Sequence, residues 1–264
     1  MFRTGKTVVS VDLKGVISSG PRSQLNLNSL SSIFAKLEKI KCDAISLNIN
    51  SPGGSPVQSS LIGEKIRSIA KNKKIKVFAF VEDVAASGGY WLACSADEIY
   101  ADNNSIIGSI GVIAGGFGFT GLIKKLGIER RIYTAGKNKS FLDPFSPSNK
   151  NDLSKLNKIQ KEIHENFINW VKLRRKKKLN LSQEKNIFSG SFWLPKEAIK
   201  LGLIDNIGNE ETILKLIFGA KVKIKKLKQT KTLKQKLGLG IKEDYFDTLI
   251  SKLKEEQLYS KYGL

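Results

Sequence analysis

The sequence predicts an α/β protein in which a mostly parallel sheet is covered by helices. Short apolar runs alternate with segments of helical spacing along the first half of the 264 residues, which is typical of repeated βαβ units. Runs such as 44–50 and 75–81 have the length and composition of buried strands. In the segment 30–40, which lies between two strand-like runs, apolar residues recur at helical spacing.

The predicted elements follow one another in that order. Strands are predicted at 8–17, 44–50, 75–81, 98–101 and 129–134, and helices at 30–40, 57–70, 85–95 and 119–126. After Pro147 the pattern changes to a long helix that reaches about residue 179, and shorter helices follow at 195–201 and 210–217. The second half is therefore predicted to be helical and to pack on the sheet.

A change of composition predicts a boundary between a main domain, 1–220, and a basic amphipathic extension, 221–264. The net charge is +21, and the surplus of lysine is concentrated in 221–242. Apolar residues return at helical spacing in 246–258. Docking of a solvated strand and helix on the body or on a neighbouring subunit is favoured over contact with an anionic membrane, where each near-surface lysine gains about 1 kcal/mol. Nucleic acid is disfavoured because no aromatic ladder accompanies the charges.

The sequence does not point to a metal site or to export. Cys42 and Cys94 lie in apolar surroundings without the spacing of metal ligands. The first residues run into a strand and lack the apolar stretch of a secretion signal. The uncharged window 103–123 contains six glycines, which favour turns over a membrane-spanning helix. We expect no metal or cofactor, and a cytoplasmic or peripherally membrane-associated protein.

Ser87 is the candidate nucleophile. It lies in VAASGGY (84–90), between an apolar run and a helical segment, where a hydroxyl can be held at an open edge. The single histidine, His164, lies in a polar helical segment, which disfavours a Ser-His-Asp triad and leaves a lysine as the leading base. A serine before two glycines also has a structural interpretation as a helix cap.

Backbone amides for a developing oxyanion are available at two places. The strand 44–50 is followed by SPGGSP (51–56), whose adjacent glycines leave their amides unshielded. The amide of Gly88, directly after Ser87, is a natural second donor. Taken alone, Pro-Gly-Gly is also a common way to turn a strand into a helix.

Four motifs in order resemble the S49 peptidase family, the group of signal peptide peptidase A and SohB. They are NSPGG (50–54), AASGGYW (85–91), GSIGV (108–112) and GKNKS (136–140). The likeness covers about residues 8–218 and includes SGSFW (189–193). It implies the ClpP/crotonase-like α/β fold.

The resemblance also implies roles for five residues. Ser87 is the nucleophile, Lys139 the general base, Gly54 and Gly88 the oxyanion donors, and Ser109 a hydroxyl that orients the lysine. Lys137 competes with Lys139 on sequence alone, and the family spacing of 52 residues from the nucleophile selects Lys139.

A lysine base has to be neutral near pH 7. Because a free lysine has a pKa of about 10.4, desolvation must favour the neutral form. Phe141, Leu142 and Phe145 provide apolar neighbours for such a site.

The implied activity is a serine endopeptidase that hydrolyses peptide bonds through an acyl-enzyme. Its substrates would be signal-peptide remnants, other short hydrophobic peptides or unfolded proteins. In single-module relatives the resemblance implies a homo-oligomeric ring in which Ser87 of one subunit meets Lys139 of the next. Many relatives carry a membrane anchor, so the likeness also leaves the periplasmic face open.

Two alternatives remain open. Acyl-CoA hydratases and isomerases share the architecture and polarise a thioester with backbone amides, but Ser87 and Lys139 would then have no task. A non-catalytic scaffold would bind membranes or RNA through the basic segment 221–242.

Overall fold

The computed structural model describes residues 5–20, 25–136, 138–227 and 256–264. These residues belong to two compact units. The first consists of Met1–Gly111 together with Phe167–Leu264, and the second is Val112–Asn166. Each unit is described by itself.

The first unit is built on one sheet, in which the described residues contribute eight strands. These are β1 (Thr7–Lys14), β2 (Ala44–Ser51), β3 (Lys76–Ala86), β4 (Glu98–Ala101), β5 (Ile106–Gly108), β6 (Phe192–Trp193), β7 (Asn206–Ile207) and β8 (Lys223–Leu227). The order is β6-β5-β3-β2-β1-β8, and β4 pairs with both β3 and β7. Every pairing is parallel except that of β5 with β6.

The longest strand, β3, has two successive neighbours on one side. Phe78–Val81 pairs with β4, whereas Val84–Ala86 pairs with β5. On its other side β3 pairs with β2, with a register shift between Ile49 and Ser51. The residue that follows β3 therefore emerges between the carboxyl end of β2 and that of β5.

Eight α-helices are assigned in the described residues. They are α1 (Ser31–Lys39), α2 (Pro56–Lys73), α3 (Gly88–Ala93), α4 (Thr120–Lys125), α5 (Lys150–Arg175), α6 (Glu184–Ile187), α7 (Pro195–Lys200) and α8 (Glu210–Phe218). The start of α2 follows from its sequence, since the Ser55 hydroxyl accepts the Gln58 N–H and Pro56 occupies the first turn. Its end is set by Lys74 in the left-handed conformation.

The core of the first unit lies between the sheet and its helices. Strands β1, β2 and β3 are buried along most of their length, as parallel strands covered on both faces are. Leu13, Leu47 and Ile66 are fully buried, and each such side chain contributes about 1.5–3 kcal/mol. This packing fixes the end of β3 rigidly.

The second unit has no buried residue among its described positions, 112–136 and 138–166. It contains α4 and the first part of α5. Its large exposed apolar side chains are Ile113, Phe117, Leu122, Leu126, Ile128, Ile132, Tyr133, Leu142, Leu153 and Ile159. The described residues of this unit therefore do not bury its apolar side chains.

Two predicted elements are wrong in detail. The helix predicted at 85–95 begins at Gly88, because Ala85 and Ala86 extend β3 and pair with β5. The strand predicted at 129–134 is not formed, since this exposed segment pairs with no strand of the described chain. The second half is mainly helical as predicted, with the short strands β6, β7 and β8 in addition.

The boundary between 1–220 and 221–264 stays a prediction. Beyond it, β8 pairs in parallel with β1, so residues 223–227 belong to the sheet. The amphipathic helix expected at 246–258 lies almost wholly outside the described residues. No helix that the structure describes combines the length and apolar character needed to cross a bilayer.

Candidate active site

Ser87 lies at a sharp turn between β3 and α3. Its backbone has φ 52° and ψ −122°, a region that a residue with a side chain adopts at a cost of about 1–3 kcal/mol. The Ser87 N–H donates to the Gly108 carbonyl over 2.8 Å, and the Ser87 carbonyl accepts the Trp91 N–H over 3.0 Å. A strained serine held at both backbone groups is typical of a nucleophile elbow.

The turn after β2 lies directly against Ser87. A Cβ on Gly53 would be 2.8 Å from both the Ser87 Cβ and the Gly88 nitrogen. A Cβ on Gly89 would be 2.2 Å from the Ser51 carbonyl oxygen. Since real Cβ atoms do not approach so closely, glycine is required on both sides of this contact. The structure thus brings the two glycine motifs together.

The backbone amides of the turn after β2 differ in whether they donate to an acceptor among the described residues. The Gly53 N–H donates to the Ser51 hydroxyl over 3.2 Å, and the Ser55 N–H donates to the Ile17 carbonyl over 2.7 Å. The Gly54 N–H donates to no acceptor in the described part of the chain. Gly88 is the first residue of α3, where an amide has no carbonyl one turn earlier within the helix. Neither the Gly54 amide nor the Gly88 amide therefore has an acceptor among the described residues.

Ser109 lies on the other side of Ser87, directly after the carbonyl that holds the Ser87 amide. It also has a positive φ, 52°, and its N–H donates to the Ser191 carbonyl over 2.7 Å. A Cβ on the preceding Gly108 would be 2.7 Å from the Trp193 ring. The Ser109 hydroxyl accepts a hydrogen bond from the Tyr262 hydroxyl over 3.3 Å.

Lys139 belongs to the second unit, whereas the other four predicted site residues belong to the first. It is exposed, and its N–H donates to the Gly136 carbonyl over 3.2 Å. Its competitor Lys137 lies outside the described residues. The structure assembles Ser87, Gly54, Gly88 and Ser109 in one place, whereas Lys139 is not buried by any of the described residues.

The remaining candidate groups have other environments. His164 lies on α5 in the second unit. Cys94 is buried, which raises the pKa of its thiol to about 12, and burial also raises the pKa of the Cys42 thiol. Thiols with such pKa values are poor nucleophiles near neutral pH, in agreement with their interpretation as small core residues.

Sequence reasoning missed the contacts of the carboxyl-terminal tyrosines with the site. Tyr262 binds Ser109 across 153 positions of sequence, and Tyr259 donates to the Asn50 carbonyl over 3.1 Å. The one available signal was the spacing of the two tyrosines, which puts both side chains on one face of a helical turn.

The arrangement in the first unit contains several of the groups that acyl transfer uses. It offers an alcohol on a strained turn, two available backbone amides beside it and a further hydroxyl, which is the set of groups that an addition to a carbonyl uses. It lacks a base in the immediate sequence neighbourhood of Ser87, since Ala85, Ala86, Gly88 and Gly89 have no titratable side chain.

The chain is similar in sequence to members of a known protein family. The profile of Peptidase family S49 matches residues 69–223, more than half of the chain. A protein of Brucella abortus named Na(+)/H(+) antiporter NhaA is 45% identical over 280 residues, covering 100% of this chain and 38% of its own length. Protease 4 of Haemophilus influenzae is 31% identical, covering 79% of this chain and 34% of its own. The chain thus spans little more than a third of the length of these relatives.

Solved structures support the fold. A mutant of the 1510-N membrane-bound stomatin-specific protease in complex with a substrate peptide superposes with a TM-score of 0.55 at 18% identity, covering 89% of this chain and 97% of its own. A 1510-N structure from Pyrococcus horikoshii gives 0.51 at 17% identity, covering 88% and 96%. The predicted ClpP/crotonase-like α/β fold is confirmed.

Proposed function

The chain belongs to peptidase family S49, and from this membership and the geometry around Ser87 we propose that it is a serine endopeptidase with a Ser-Lys dyad. Ser87 is the nucleophile and Lys139 the general base. Gly54 and Gly88 donate to the oxyanion, and Ser109 orients the lysine. The observation that carries the proposal is the strained Ser87 in contact with a glycine turn whose Gly54 amide has no acceptor among the described residues.

The reaction runs in two halves. The Ser87 oxygen attacks the peptide carbonyl while the neutral amine of Lys139 takes its proton, and the carbonyl oxygen becomes an anion held by the two amides. The carbon–nitrogen bond then breaks, and the leaving amine takes the proton back from the lysine. Water then adds to the acyl-enzyme and gives a proton to the same lysine. The bond between the acyl carbon and the Ser87 oxygen breaks, this oxygen takes the proton back from the lysine, and the product acid is released.

The base is supplied by a second copy of the chain in this proposal. Lys139 is exposed in the single chain, and the unit that carries it exposes ten large apolar side chains. Apolar surface of this extent on one segment marks an interaction site. A homo-oligomeric ring would cover it and desolvate the lysine, which favours the neutral amine. The net charge of +21 opposes assembly, so contacts between copies have to be mainly apolar.

The substrate class is peptide. The 1510-N structure in complex with a substrate peptide is consistent with this, and we extend it to short hydrophobic peptides, signal-peptide remnants and unfolded proteins. For location we propose a cytoplasmic or peripherally membrane-associated form, the second of which would use contact between the basic extension and anionic lipid. The periplasmic face is the alternative.

The test is a peptidase assay with Ser87→Ala, Lys139→Ala and an equimolar mixture of the two variants after subunit exchange. We expect both variants to be inactive and the mixture to recover about a quarter of wild-type activity, since one in four interfaces then joins an intact serine to an intact lysine. Lys125→Ala is the control for loss of a surface charge in the same unit. Full activity of Lys139→Ala would refute the assigned base.

Labelling separates the peptidase from its alternatives. An alkyl fluorophosphonate is expected to modify wild type at Ser87 and to leave Ser87→Ala unmodified. Protection against thermal unfolding by an acyl-CoA, without labelling, would instead indicate a hydratase or isomerase. Salt-sensitive binding to lipid vesicles or RNA that is identical in wild type and Ser87→Ala, without hydrolysis, would indicate a scaffold.

A further inference from the structure

The last residues of the chain form a short helical turn with two tyrosines on one face. Residues 256–260 are helical and 261–263 form a turn. Tyr259 and Tyr262 are three positions apart, so their side chains project in the same direction. Glu256 and Lys261, by contrast, are exposed.

The two hydroxyls bind the two strands on either side of β3. Tyr259 donates to the carbonyl of Asn50, in β2, and Tyr262 donates to the hydroxyl of Ser109, directly after β5. Because β2 and β5 both pair with β3, a segment bound to both crosses the carboxyl end of β3. Ser87 emerges at that end.

The Tyr262 side chain has a specific site. Its ring meets that of Phe192 edge to face, with centroids 5.2 Å apart and planes at 82°, a favourable aromatic geometry. Its hydroxyl is held by Ser109, and the burial of the side chain raises the pKa of Tyr262. An aromatic ring on one side and a hydroxyl acceptor on the other are the groups that recognise a tyrosine-like side chain.

We propose that Phe192 and Ser109 form an aromatic subsite of the peptide groove beside Ser87, and that the chain's own Tyr262 occupies it. Residues 256–264 are then an intramolecular competitor of the substrate. This proposal rests on the proposed peptidase function and names one feature of its substrates, an aromatic side chain. It also implies that Tyr262 shares the Ser109 hydroxyl with the lysine that Ser109 orients, so the segment opposes completion of the dyad.

The first experiment measures the rate at which an alkyl fluorophosphonate labels Ser87 in the full-length protein. Tyr262→Ala is expected to react about fivefold faster than wild type, because it loses both the ring contact with Phe192 and the hydrogen bond to Ser109. Tyr262→Phe, which keeps the ring, is expected to react about twofold faster. Lys261→Ala, an exposed neighbour, is the matched control and should react at the wild-type rate. Unchanged or slower labelling of Tyr262→Ala would overturn the proposal.

The second experiment adds a synthetic peptide of residues 256–264 to Tyr262→Ala. We expect it to inhibit hydrolysis competitively, whereas the same peptide with alanine in place of Tyr262 does not inhibit. Peptide substrates with a tyrosine or phenylalanine should gain more from Tyr262→Ala than aliphatic ones. Equal inhibition by the two peptides would contradict an aromatic subsite.

Hydrogen exchange of residues 256–264 separates failure of this proposal from failure of the proposed function. Slower exchange in wild type than in Tyr262→Phe shows docking whether or not the protein hydrolyses peptides. If the segment docks but no variant is labelled or hydrolyses peptides, the proposed peptidase function is refuted and the docking of residues 256–264 is retained. If wild type and Tyr262→Phe exchange at the same rate and hydrolysis is normal, the docking of residues 256–264 is refuted and the proposed peptidase function is retained.

Discussion

The two units of the chain differ in how completely each prepares its part of the site. In the first, Ser87 is fixed by hydrogen bonds at its N–H and its carbonyl, and the turn around Gly53 is packed against it. In the second, Lys139 is exposed and no described residue is buried. Ser87 is thus organised by the folding of one chain, whereas in the proposed function Lys139 acquires its environment only on assembly. The following predictions test this contrast.

Replacement of Lys139 should have the largest effect. We expect Lys139→Ala to lower kcat about 10⁴-fold, as for loss of a general base that acts with the nucleophile. Because the side chain is exposed in the single chain, the free energy of unfolding should not change. Kinetics and thermal unfolding together check this. A substantial loss of stability would mean that Lys139 supports the fold rather than the chemistry.

The next effect concerns the turn beside the nucleophile. Gly53→Ala places a Cβ 2.8 Å from the Ser87 Cβ at a φ of +103°, so the turn must move away from Ser87. We expect kcat to fall about 100-fold, the loss that accompanies a misplaced oxyanion donor. Gly115→Ala is the matched control in the second unit, where a Cβ meets nothing within 4 Å. Equal activity of the two variants would disprove the assigned turn.

A charge on the exposed apolar surface of the second unit should weaken assembly. Phe117 is 79% exposed, and Phe117→Asp adds a carboxylate that a contact between copies would have to desolvate. At a concentration one tenth of the new dissociation constant we expect about a tenfold loss of activity. Sedimentation velocity measures the assembly directly. Unchanged sedimentation would show that this surface is not the interface.

The smallest effect on activity is expected from the ion pair of Arg175 and Asp205. Arg175 is 2% exposed and donates to Asp205 over 2.8 Å. Burial opposes ionisation of Asp205, but the hydrogen bonds and charges of Arg175 and Lys178 outweigh it and hold the pKa of Asp205 below its usual value. Asp205→Asn should therefore cost about 3 kcal/mol of stability at neutral pH while kcat remains near wild type.

The pH dependence follows from the sign of that shift. A lowered pKa in the folded state gives stability that is present above about pH 4 and is lost as the pH falls through the folded-state pKa. The free energy of unfolding of wild type should lose the contribution of ionised Asp205 in acid, whereas that of Asp205→Asn should lack this contribution at every pH. Thermal unfolding from pH 7 to pH 3 checks the prediction, and parallel curves for the two proteins would contradict it.

Much of the first unit could be predicted from sequence because its signals are local. Strand and helix order, the glycine turn and the position of Ser87 follow from apolar runs and from residues that permit close backbone contacts. The strand predicted at 129–134 fails for a physical reason, since apolar and β-branched residues form a strand only where a partner supplies hydrogen bonds. The sequence places Ala85 and Ala86 in a helix because small apolar residues are compatible with the period of a helix and with that of a strand.

Only the parts of the candidate site that lie within local sequence motifs could be predicted. Tyr262 and Ser109 are 153 positions apart, and no periodic pattern in the sequence predicts the contact between them. The environment of Lys139 cannot be derived from one chain when the proposal assigns it to another. The fixed nucleophile was therefore the more predictable half of the dyad.

The placement of the tryptophans gives this protein a built-in optical reporter. The chain has three, and each is tied to a segment of the proposed site. The Trp91 amide holds the Ser87 carbonyl, Trp170 stacks on Trp91 with ring centroids 5.9 Å apart, and Trp193 lies against Gly108. Acylation of the serine or release of the carboxyl-terminal turn should therefore change the intrinsic fluorescence, so both events can be followed in real time without an attached dye.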